Sequence, residues 1–351
     1  GYWVHWTDAI GYAMLQEVQL SVGSHIVDRF SCEFLYCWEE LTGQSGKRCW
    51  DMVGRFGTIV ERILFARSGG RLHVPLPFWF TQVTGNALSL ITLHYNIVNV
   101  HITFTNLNKL LIVSNTDVQV MKANRTDTGT GFPVTDGTSS GSPLSASDCA
   151  AYLQSEMVYL DMPERTSFQQ GEFDCLMTGV QTERRTVASG SSADMNLPFN
   201  FPVSEIIIAG RMAGNTVGNR TFEFGRGIPS SPYASGGLLT YGSVKLSRPM
   251  CPIQSEGSFD WQGQDYGIVT APGGGSNTDS TGQWSLWNRL IVNADPFVEM
   301  TLYINHSQRM APQPANYFRQ VQPFQHHSRI PTNYIYVMSF SLFPEEANAS
   351  G

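Results

Sequence analysis

Two adjacent histidines, His326 and His327, sit in the stretch FRQVQPFQHHSRIPTNYIYVMSF and raise the first chemical question, a metal site or a structural corner. Neighbouring side chains of an extended chain point to opposite sides, so chelation by the pair would need a sharp turn. Pro323 and Pro331 flank them and set a rigid connector leading into the strand NYIYVMSFSLF. The expectation is therefore a corner. His94 and His101 are seven residues apart and fall on opposite faces of one strand, so they cannot share an ion. His25 and His73 stand alone near strand ends and are expected to be hydrogen-bonded or surface residues.

Other candidates for chemistry are sparse. Glu164, Glu172 and Asp174 lie in a polar connector, where acids are usually solvated charges rather than the facing carboxylates of a glycosidase. The chain has no G-x-S-x-G elbow, no H-E-x-x-H and no phosphate-binding G-x-x-x-x-G-K-[ST]. No catalytic role, cofactor or metal is expected. Six cysteines (Cys32, Cys37, Cys49, Cys149, Cys175, Cys251) form no C-x-x-C pair and are expected to be buried free thiols. Asn-x-Ser/Thr sequons occur at Asn124, Asn219, Asn305 and Asn348. Asn124 and Asn219, in polar stretches, are the preferred candidates for N-glycosylation over Asn305, which ends a strand. Trp261, Tyr266, Trp284 and Trp287 lie in loop-like sequence and open an alternative reading, a β-sandwich lectin or glycan-binding module that stacks sugars on exposed rings. In QWSLW, however, the odd spacing of Trp284 and Trp287 lets at most one ring face a given side of a strand.

The elements that must position these residues are mostly strands. In IVNVHITF, Val98, Val100, Ile102 and Phe104 share one face and Asn99, His101 and Thr103 the other. EVQLSV repeats the pattern with Val18, Leu20 and Val22, and VEMTLYIN with Val298, Met300, Leu302 and Ile304. One wet face per strand favours antiparallel sheets. Helical spacing appears early, at Phe30, Phe34, Cys37, Trp38 and Leu41 with Gly43 placed to end the helix, and more weakly in CWDMVGRFGTIVERILFARSGG, which Gly54 and Gly57 interrupt. Residues 124–148 and 270–285 are rich in Gly, Ser, Thr and Pro and read as long loops at a sandwich rim.

At 351 residues the chain has room for two domains. An alternating strand ends at Asp161, and Pro163 with the polar run ERTSFQQGE marks a boundary near residue 165. This divides the chain into 1–165 and 166–351, two halves of similar outline that suggest an internal duplication. Charged residues make up only 15% of the chain and aromatics 12%, a sandwich-like composition. A formal net charge of −7 offers no basic footprint for a phosphate backbone, so direct nucleic-acid binding is not expected. There is no run of 18 apolar residues, and the first residues lack the pattern of a signal peptide.

Five blocks in order, AMLQEVQLSVGSHIVDRFSCEFLYCWEELT, RLHVPLPFWFTQVTGNALSLITLHYNIVNVHITF, VYLDMPERTSFQQGEFDCLM, LPFNFPVSEIIIAG and YFRQVQPFQHHSRIPTNYIYVMSFSLFPEEANASG, cover most of the chain outside its long loops. Their ordered combination resembles the major capsid proteins of nucleocytoplasmic large DNA viruses. The resemblance implies an all-β fold of two consecutive eight-stranded jelly-roll β-sandwiches (a double jelly roll) with short helices and long loops, clipped at both ends relative to the family. It further implies a structural virion protein, assembled in the infected host cell's cytoplasm, that forms homotrimers. Each trimer would be a pseudo-hexagonal capsomer of an icosahedral shell, meeting neighbouring capsomers and minor capsid proteins. Its outer loops would face host surfaces or glycans. In the family, QPFQHHSRIP leads to a late strand of the second jelly roll.

Overall fold

The computed structural model describes residues 2–44, 46–47, 49–56, 59–93, 96–115, 120–121, 151–170, 176–187, 192, 194–211, 219–224 and 295–346. Within them the clearest alternating stretches are strands. β2 (Leu15–Val22) pairs antiparallel with β3 (His25–Ser31) on one side and β4 (Val98–Phe104) on the other. Val18 faces Phe30 and Ile102 across the two ladders, and both Val18 and Phe30 are buried. Along β4, half-buried and exposed residues alternate as the period-two pattern requires. Gly23 makes the β2–β3 turn possible: its φ is +61°, and a Cβ there would come within 2.8 Å of Asn96 Oδ1.

A second antiparallel sheet orders β1 (Tyr2–Trp6), β5 (Leu111–Asn115) and β6 (Val120–Met121). Late in the chain, β8 (Glu299–Ile304) and β9 (Ser307–Pro314) form a hairpin whose turn residues, Asn305 and His306, both have positive φ. β7 (Glu205–Ala209) pairs with β10 (Ile335–Ser339). The first four residues of β10 are all buried, so it sits between layers rather than on a half-wet sheet. The fold is thus strand-rich, with antiparallel sheets of three, two, three and two strands among the described residues.

Helices are short. α1 (Ile10–Ala13) precedes β2, and α2 (Cys32–Thr42) follows β3 directly. α2 lies where the helical spacing predicts, and Gly43 closes it by donating its N–H to Glu39 O at 3.0 Å. Phe30, counted with the helix from its spacing, belongs to β3 instead. The weaker pattern yields α3 (Ile59–Ser68), and α4 (Trp79–Gln82) buries Trp79. Gly54 lies in the turn before α3 with φ +70°.

Near the middle the structure differs from the sequence-based expectation. Residues 151–161 form no strand, and Tyr159 is 93% exposed. The run MVYL has no ladder partner among the described residues, and a strand cannot exist without one. The polar connector that follows is helical, α5 (Met162–Gln170). Glu164 accepts a hydrogen bond from Asp161 N–H, and Pro163 sits in the first turn where its missing N–H costs nothing.

The core is continuous from one end of the chain to the other. Residues of α1, β2 and α2 cluster with Phe222 and Phe224, and with Ile335, Tyr336 and Val337 of β10. The Tyr36 ring stacks on Phe222 at 4.4 Å between centroids and meets Phe224 edge-on. Among the described residues no helix is long and apolar enough to cross a membrane.

Candidate functional site

The stretch containing His326 and His327 is a corner, and it is the place where a late segment of the chain is fastened to earlier ones. A π-turn at Tyr317–Val321 runs into α6 (Gln322–His326), with Pro323 in its first turn. His327 caps α6 in extended conformation, and the chain then passes through 328–334 into β10. The two imidazoles have different partners. His326 Nδ1 donates to Leu342 O at 3.1 Å. The side chain of His327 is fully buried, with Nδ1 3.1 Å from Glu345 Oε1 and Nε2 2.9 Å from Glu205 Oε2 of β7. Burial alone would lower the His327 pKa, but the two carboxylates outweigh it and raise it to about 9. The ring is then an imidazolium at neutral pH, bridging two acids. Glu345 also accepts from Ser328 N at 2.7 Å and from Ser328 Oγ. Its pKa is lowered: burial opposes this, but the bonds from His327 and Ser328 prevail.

Residues 329–334 dock on α2. A helix places residues three and four apart on one face, and Tyr36, Glu39 and Glu40 all lie on the buried side. Glu40 is 0% exposed and is paired with Arg55 Nη1. Its Oε2 accepts both the N–H and the Oγ–H of Thr332, each at 2.7 Å. Burial would raise the Glu40 pKa, yet Arg55, Arg329 and Thr332 together hold it below the ordinary glutamate value. Glu39, one residue earlier, is pushed upward by burial despite Arg55. The Arg55 guanidinium stacks over the rings of Trp50 (4.5 Å) and Tyr36 (4.9 Å), and Arg329 lies 5.5 Å from the same Trp50 ring. Asn333 Nδ2 donates to Phe222 O and to Tyr36 Oη. Beyond α2, Asp295 accepts from Tyr336 Oη at 2.7 Å and pairs with Arg319 at 2.9 Å.

This network links charge to countercharge. Cys32, Cys37 and Cys49 are free thiols. Burial pushes all three upward in pKa, which keeps them unreactive. Beside α2 lies an open cavity of about 420 Å³, lined by Tyr12, Trp38, Glu39, Cys49 and Pro77 among others. No group of three or more metal-ligating side chains occurs among the described residues.

The remaining candidates are scattered. Glu164 caps α5 on the surface, while Glu172, Asp174 and His94 lie outside the described residues. His25, His73 and His101 are exposed on separate elements. Cys149, Cys175 and Cys251, the aromatic set Trp261, Tyr266, Trp284 and Trp287, and the loops 124–148 and 270–285 also fall outside them. So do the sequons Asn124 and Asn348.

At Asn219 the side chain is fully committed. Its Nδ2 donates to Asn108 O at 2.6 Å and Leu111 O at 2.8 Å, the residue's backbone carbonyl accepts from Thr7 Oγ1 at 3.0 Å, and its φ is +57°. Attaching a glycan to that nitrogen replaces one of its two N–H donors and so breaks at least one of these bonds. Asn305, ranked lower from the sequence, is exposed in the β8–β9 turn. Glu205, Glu345, Glu40 and Arg55 were missed, because in the sequence each is one acid or base among many.

Comparison with known proteins accounts for a site that fastens rather than reacts. Residues 164–351 match the family model described as large eukaryotic DNA virus major capsid protein, and residues 1–161 match that of the major capsid protein N-terminus. The chain is 25% identical to the major capsid protein of Phaeocystis pouchetii virus, across 99% of this chain and 73% of that protein. It is 23% identical to the major capsid protein of Chrysochromulina ericina virus, across 100% and 72%. A chain of the quasi-atomic model of the PBCV-1 virus capsid shares its fold with a TM-score of 0.55 at 18% identity, covering 100% of this chain and 71% of that one. With both family models matched in order along its length, the chain belongs to the major capsid proteins of large eukaryotic DNA viruses, structural proteins of the virion shell and not enzymes.

Proposed function

We propose that this capsid protein acts as a homotrimer. In this reading each subunit is a double jelly roll, two consecutive eight-stranded sandwiches at residues 1–165 and 166–351, and three subunits form a pseudo-hexagonal capsomer that tiles an icosahedral shell. The observation that carries the reading is the fold likeness along the whole chain to a subunit of the PBCV-1 virus capsid. The joint at α2 supports it as well. A tile that must present two lobes at fixed spacing needs its halves locked, and buried ion pairs with defined geometry lock orientation as apolar contact alone does not. Neighbouring capsomers and minor capsid proteins are the proposed partners, and assembly is placed in the host cytoplasm.

The loops 124–148 and 270–285 are proposed to face outward toward host surfaces or glycans. Asn124 and Asn219 are the N-glycosylation candidates from the sequence. The geometry disfavours Asn219 and favours the exposed Asn305. A net charge of −7 argues against direct contact with nucleic acid. No specific observation favours the lectin alternative.

Light scattering of the purified chain tests the reading. A mass near three times 38.9 kDa is expected. A folded monomer at high concentration would overturn trimerisation, and glycan binding would then be the next assay.

A further inference from the structure

We draw no further inference here: the strongest candidate, the open cavity beside α2 that Glu39 lines, is also lined by Lys47 and lies within the field of Arg55 and Arg329, so its charges single out no class of ligand and nothing in the structure shows what would fill it.

Discussion

Glu40 shows how one buried charge is made tolerable. With Arg55 and Thr332 removed it would be an isolated carboxylate in the core; with them it is held below its ordinary pKa. Replacing it by alanine strands Arg55 and is expected to cost about 3–5 kcal/mol, read as a fall in the denaturant midpoint. His327 gives a different signature. Its folded pKa, about 9, lies above its unfolded value of 6.5, so its contribution is fully present below about pH 6.5 and fades as pH rises through 9. The gain is on the order of 3 kcal/mol. Glu345 works in the opposite direction: lowered in the fold, it contributes above its ordinary value of 4.5 and loses that contribution in acid. Unfolding free energy measured from pH 6 to pH 10 should therefore decline in the parent and stay much flatter in His327→Gln. Equal slopes would show that the bridge contributes nothing. The pair of histidines was conspicuous in the sequence, but their partners were not. Glu345 is 18 residues from His327, and Thr332 is 292 from Glu40.

At the scale of elements, period-two alternation identified β2 and β4, because a half-wet antiparallel sheet writes its two faces into the chain. It was weaker for β8. Met300 and Leu302 turn inward as the pattern requires, but Val298, which precedes the strand, and Ile304, which follows register shifts in the β8–β9 ladder, are exposed. α5 was legible in principle. Asp161 and Glu164 make a capping pair with Pro163 between them, a start signal outweighed by the polarity of the run. Turn geometry also reorders the sequons. In a glycosylating host, peptide mapping should find modification at Asn305 and none at Asn219; a glycan on Asn219 would show that at least one of its two hydrogen bonds opens. Asn219→Ala removes both donors and places alanine at φ +57°, and a loss of about 2 kcal/mol is expected in a thermal or denaturant melt.

For the whole molecule, the fastening of residues 329–334 onto α2 matters more than any one sheet. The continuous core and the Glu40–Thr332 contact join sequence-distant parts of the chain, and a close-packed interior resists deformation across that joint. A shell tile needs that property. The expected trimer mass, near three times 38.9 kDa, tests assembly at this scale by asking whether copies associate.

The sequence by itself determined the strand-rich class, α2 with its closing Gly43, and, through ordered blocks along the chain, the family. These are local or cumulative properties: periodicity, caps and composition are written within a few residues or summed over many. Tertiary structure alone decided which acids meet which bases. Glu205, Glu345 and Glu40 look like ordinary surface carboxylates until folding buries them against His327 and Arg55, and only then does charge without water require a partner.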